Sequence, residues 1–358
     1  MFEAKPYIGK TAFEQWAEYE GVPMIRDFMV PDLNTVAVKP WDRMGAAGSW
    51  VILGALEDQM SMGAYVCEIA PGKSTRPQKH IYEEIVYVVA GSGATTVWNE
   101  GQKPLTFEWK RGSLFAPPAN ASFQHFNGSG IEPARYVSLT NAPAVFNMFH
   151  SHDFIMNNPY RFQDRYNGDS EFFSGKGESR PGLVWESNFV PDIVNLKLHE
   201  FSVKGPGLRQ VEIELSSNTL SCHLNDSPVG VYKKAHRHGP GANIIVLGGR
   251  GYTLQWKEGQ KWQRFDWGPG SMMAPPNRWF HQHFNLGKDN IRQLALKGWG
   301  QKFPIGGWEQ MFKSTEAGGD MIEFEDEDPA IRAMYVEELK KEGLELKNLP
   351  VTYRKKSA

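Results

Sequence analysis

The feature that most constrains this chain is that it repeats itself. At a constant offset of 158 residues and with no gap, Gly72 returns as Gly230, His80 as His238, Gly91 as Gly249 and Gly93 as Gly251. The segment GATTVWNEGQK (93–103) lies on GYTLQWKEGQK (251–261), and GSLFAPPANASFQHFN (112–127) lies on GSMMAPPNRWFHQHFN (270–285). His125 thereby pairs with His283 and Asn127 with Asn285. After a one-residue slip Arg135 matches Arg292 and Leu139 matches Leu296, closing each unit at about 85 residues. A repeat fixes architecture more firmly than local propensity does, so the 358 residues are expected to form two copies of one domain.

Each copy reads as β. IVYVVAGSGATTVW and NIIVLGGRGYTLQW are β-branched and aromatic runs broken by Gly-x-Gly, and a Glu-Gly-Gln turn precedes the next apolar stretch. Short strands with turns at this spacing suggest a small antiparallel barrel or sandwich. Helical pattern is confined to the ends. Residues 11–20 suit a short amphipathic helix, while Asp328, Pro329 and Gly343 supply an N-cap, a first helical position and a stop for a C-terminal one. The expected division is an N-terminal extension (1–45), a first barrel (46–145), a connecting segment (146–205), a second barrel (206–300) and a C-terminal helical extension (301–358).

Charge and composition narrow the function classes. Thirty-nine basic against 41 acidic residues give a net charge of −2, which leaves no electrostatic footprint for nucleic acid or an anionic membrane. Apolar runs are strand-length, far below the ~20 residues of a membrane span. The N-terminal run MFEAKPYIGKTAFEQWAEYEG lacks the pattern of an export signal, and two cysteines do not make a disulfide scaffold, so a cytoplasmic location is expected.

Four of the ten histidines, His236, His238, His281 and His283, sit in the motif segments of the second unit. Residues two apart on a strand share a face, so each pair projects together. Imidazoles converging from two strands are poor core packers and good ligands for a divalent first-row metal; the competing reading is a polar patch on an outer face. In the first unit the corresponding positions are Gln78, His80, Glu84 and His125, either a facial-triad donor set with Gln78 as a weak extra oxygen or a decayed site without metal.

The pattern G-x7-H-x3-E-x6-G followed by G-x4-PP-x6-H-x-N, occurring twice, resembles the two motifs of the cupin superfamily, and the duplication resembles a bicupin. The likeness covers roughly residues 64–140 and 222–298. It implies an all-β fold of two tandem double-stranded β-helix (jelly-roll) barrels with short helical N- and C-terminal extensions. It also implies metal ligands His236, His238 and His283 in the second barrel, with Ala242 where a glutamate is usual. In the first barrel the implied set is His80, Glu84 and His125, with Gln78 replacing a histidine. His281 is then read as a catalytic base, a fourth ligand, or a core histidine bonded to a backbone carbonyl. Trp279 is expected to wall the substrate pocket or to pack in the barrel core, and His223 to line the barrel mouth.

Three histidines without a carboxylate are similar to the sites of gentisate- and salicylate-type cupin dioxygenases. The first expectation is therefore an iron(II) dioxygenase that binds O2 and a small aromatic hydroxyacid or enolisable diketone. The three-His-plus-Glu shell usual in manganese oxalate decarboxylase is absent from both units, which counts against decarboxylation. The alternatives are a non-oxidative isomerase, hydrolase or decarboxylase using manganese, nickel or zinc, and a non-enzymatic binding bicupin. Bicupins often pair through strand exchange or barrel faces, so a homodimer or larger homo-oligomer is expected.

Overall fold

The computed structural model describes residues 2–54, 62–239, 242–304 and 308–354. The two repeat units are two β-barrels. In the first, strands Met24–Asp27, Ala46–Leu53, Gly63–Ile69, Ala134–Thr140, Glu84–Ala90 and Leu114–Phe115 run side by side in one sheet, facing a smaller sheet of Ser122–Asn127, Ser92–Trp98 and Leu105–Lys110. The second barrel repeats this with Val184–Ser187, Arg209–Leu215, Ser221–Ser227, Ile291–Lys297, Asn243–Gly248 and Met272–Met273, facing Gln263–Trp267, Gly251–Trp256 and Phe280–Asn285.

The repeated glycines and tryptophans have a steric reason. A Cβ on Gly93 would lie 2.0 Å from the Phe126 carbonyl oxygen and 2.5 Å from the Trp109 ring; on Gly251 it would lie 1.9 Å from the Phe284 oxygen and 2.7 Å from the Trp267 ring. Only glycine lets the smaller sheet close over a tryptophan at this point.

The repeat runs further back than the motif match, at a slightly different offset. Met29-Val30-Pro31-Asp32-Leu33 corresponds to Phe189-Val190-Pro191-Asp192-Ile193, and each stretch pairs with the other barrel. Met29 and Val30 sit opposite Met273 and Met272 of the second barrel; Phe189 and Val190 sit opposite Phe115 and Leu114 of the first. The hydrogen bonds are reciprocal as well: Leu33 N donates to Gly270 O and Ile193 N to Gly112 O, both at 2.9 Å. Ser271 Oγ donates to Pro31 O at 2.7 Å and Ser113 Oγ to Pro191 O at 2.8 Å.

Between the barrels the two larger sheets share one aliphatic core. Val51, Val66, Ile85, Val137 and Leu139 meet Ile213, Leu215, Leu224, Leu294 and Leu296, all buried. Helix α1 (Ala12–Glu20) starts at the expected place, with a Thr11/Glu14 capping box, and buries Phe13 and Trp16 against the first barrel. Two helices lie where no helical pattern was read, α2 (Ala142–Phe149) and α3 (His152–Met156), too short to show periodicity. Trp16 stacks on Phe146 of α2 with ring centroids 4.0 Å apart. Helix α4 (Pro329–Lys341), capped by Asp328, covers the outer face of the second barrel's smaller sheet through Ile331, Tyr335 and Leu339.

The interiors differ. The first barrel is filled by Trp50, Tyr65, Phe115, Phe123 and Tyr136, each at most 2% exposed. Counterparts in the second include His223, His281 and Gln293, and there a cavity of about 40 Å³ remains. No helix among the described residues is long and apolar enough to cross a membrane.

Candidate metal centre

His236 and His281 lie directly opposite each other and exchange both backbone hydrogen bonds, His236 N to His281 O at 3.1 Å and His281 N to His236 O at 2.9 Å. Their side chains therefore leave the same face, with ring centroids 4.3 Å apart. His238, two residues on, joins them with its ring 5.9 Å from His236 and 4.9 Å from His281. One ligand nitrogen from each of the three lies within 4.8 Å of the others, the only such group of three or more His, Cys, Asp or Glu among the described residues.

The ring orientations suit ligation. His236 Nδ1 is 3.1 Å from Lys234 O and His281 Nδ1 is 3.3 Å from Trp279 O. Donating Nδ1–H to a carbonyl leaves Nε2 with its lone pair, the arrangement that orients metal-binding histidines. His238 Nδ1 is buried with no partner among the described residues. Burial, with Lys204 close by, holds His236 and His238 well below the ordinary imidazole range and His281 at about 3, so all three are neutral and ligand-competent at pH 7. The donor set thus fits a divalent first-row metal.

His283 is placed differently. Its Nδ1 meets Thr253 Oγ1 at 2.7 Å, and the same hydroxyl accepts from Trp267 Nε1 at 2.8 Å. In the first barrel His125 Nδ1 meets Thr95 Oγ1 at 2.7 Å, with Trp109 Nε1 2.9 Å from that oxygen. This Trp–Thr–His chain belongs to both barrels, so the His125/His283 match marks a shared structural element. The second-barrel group gathers His281 in the slot that the motif match gave to His283. His283 still faces the cavity, with its ring 5.6 Å from that of His281.

The four first-barrel candidates do not come together in this way. Gln78 is engaged by Arg43, whose Nη1 donates to Oε1 at 2.5 Å, while Gln78 Nε2 donates to the carbonyls of Arg43 and Arg76. His80 stacks on Tyr82 at 3.6 Å and places Nε2 3.5 Å from Glu84 Oε1. The other Glu84 oxygen accepts from Tyr65 at 2.8 Å, and burial pushes this carboxyl up to about 7. Phe123 fills the place that His281 holds in the second barrel.

His223 lines the cavity, with Nδ1 3.9 Å from Glu212 Oε1. Trp279 does not; its ring packs on Phe28 at 5.9 Å, and its carbonyl orients His281. The sequence reading missed three lysines in the wall, Lys204, Lys233 and Lys297, all buried. Lys297 carried a signal, because it continues the inward parity of Gln293 and Ala295 on one strand.

Comparison with solved structures settles the architecture. An oxalate decarboxylase of Lactobacillus farciminis, in a formate complex, superposes with a TM-score of 0.52 at 12% identity, over 87% of this chain and 94% of that one. A Bacillus subtilis oxalate decarboxylase described with Mn(II) centres gives 0.50 at 13%, over 82% and 83%. The chain thus has the two-barrel bicupin fold of these structures. Neither a protein-family model nor a curated protein sequence matches it. At these identities the likeness carries the bicupin fold alone, and the chemistry rests on the site.

Proposed function

We propose that the second barrel of this bicupin is the active site of a metal-dependent enzyme that acts non-oxidatively, by decarboxylation, isomerisation or hydrolysis, on a small substrate. The observation that carries this reading is the three-imidazole group in the wall of a small cavity. His236, His238 and His281 would hold a divalent metal, manganese being the metal named for a structural neighbour and nickel, zinc and iron being suited to imidazole donors. When bound, the metal supplies Lewis acidity to a substrate carbonyl or carboxylate oxygen. Three protein ligands leave coordination positions open, which supports catalysis over a purely structural site.

The chain's own residues do the rest. Lys234 O and Trp279 O fix the rings of His236 and His281, and Thr253 fixes His283 at the cavity wall. His283 and His223 line the space as neutral imidazoles and stand where a proton is to be accepted or returned. The cavity, about 40 Å³, is far smaller than the roughly 150 Å³ that admits benzene, which favours a compact substrate over an aromatic hydroxyacid. Iron(II) dioxygenation is the second reading, favoured by the absence of a carboxylate from the donor set.

Turnover of short-chain hydroxy, keto and dicarboxylic acids, followed together with dissolved oxygen, tests the proposal. The expected result is metal-dependent product formation without oxygen uptake, lost in His281→Ala. Oxygen consumed in step with product would overturn the non-oxidative reading in favour of the dioxygenase.

A further inference from the structure

The charges around this cavity do not balance. Lys204, Arg209, Lys233 and Lys297 line it, against the single acid Asp226. Most of these have partners. Arg209 pairs with Asp226 at 2.8 Å, and Lys297 Nζ meets Glu212 Oε2 at 2.5 Å. Lys233 Nζ donates to Asn225 Oδ1 at 2.6 Å and Gln293 Oε1 at 3.3 Å, which engages two of its hydrogens with neutral oxygens.

Lys204 is the exception. It ends a short 3-10 turn (Ser202–Lys204) in the segment entering the second barrel, and its backbone carbonyl accepts from Lys234 N, which ties the turn to the segment that carries His236. The side chain is 9% exposed and lies 5.3 Å from the Phe312 ring centroid, with no hydrogen bond or ion pair among the described residues. It lines the same cavity as His236, His238 and His281. Burial without a hydrogen-bonded anion holds this amine down at about 7, and an anion seated beside it in the cavity would restore its charge.

Resting on the reading of the second barrel as the active site, we propose that the substrate is a short carboxylic acid, one oxygen-bearing end at the imidazole group and its carboxylate on Lys204 Nζ. The small cavity that both line favours a keto acid or dicarboxylate of a few carbons. Lys204 is thereby a substrate-binding residue supplied from outside the barrel strands, and the lysine, a compact point charge, accepts a carboxylate without demanding two-pronged geometry.

The test is calorimetric titration of malonate into the full-length protein, as purified and after chelation, with metal content measured on the same samples. Malonate is expected to bind, and K204M to weaken it at least about tenfold with metal content unchanged and Tm not lowered, K204R restoring most of the loss. Malonamide, of the same shape without charge, is expected not to bind. Should K204M fail to fold, K204Q replaces it. Equal malonate affinity in wild type and K204M, no malonate binding by the wild type, or tighter binding of inorganic phosphate would each overturn the assignment. A protein without metal that still binds malonate through Lys204 would sink the active-site reading and leave the anion site standing, so the two failures are distinguishable.

Discussion

Two imidazoles two residues apart, His281 and His283, face the same cavity and have different partners. His281 sits across from His236, whereas His283 is held in a Trp–Thr–His chain that the first barrel also has. His283→Ala is therefore expected to retain metal while losing about 1–3 kcal/mol of stability, as His125→Ala should, from a broken buried hydrogen bond; metal analysis beside urea unfolding checks both. Strand parity made both residues legible as inward-facing. It could not choose between them, because the choice depends on which lies level with His236 along the barrel, and that is a matter of register. Glu84 gives a prediction in pH. Burial raises its folded pKa from 4.5 to about 7, so its contribution is fully present below the unfolded value and is lost as pH rises through about 7. Glu84→Gln should consequently lose less Tm than the wild type between about pH 5 and 8, and parallel profiles would contradict it.

At the scale of elements, the exchanged arms hold each barrel to its neighbour. Leu33 and Ile193 are both fully buried in the shared aliphatic core, one from each arm. Leu33→Ala and Ile193→Ala are each expected to cost about 2–5 kcal/mol in denaturant unfolding, and losses below 1 kcal/mol would mean that the arms merely lie on the surface. The N-terminal helix was legible in its amphipathic pattern and the C-terminal one in its caps, Asp328 with Pro329. The arms were not, because their match is short and shifted in offset from the barrels, and two-residue strands leave no periodicity to read. Lys204 was hidden for a related reason. It lies in an irregular turn, where sequence alternation says nothing about direction.

As a whole molecule, the chain has used its two barrels differently. One interior is packed with aromatic rings, and the other keeps polar and cationic side chains around a small cavity. The motif repeat made the twofold architecture legible, and the substitutions within it, Phe123 against His281 and Gln78 against His236, are where the copies diverge. Because the larger sheets share a core and the arms cross, both barrels should unfold in one calorimetric transition, and two separated peaks would show that each is stable alone. Elemental analysis of the wild type, His281→Ala and His125→Ala, purified without chelator or added metal, tests the central assignment most directly. About one divalent metal per chain is expected in the wild type and in His125→Ala, and almost none in His281→Ala. Metal retained by His281→Ala, or lost from His125→Ala in its folded state, would contradict it.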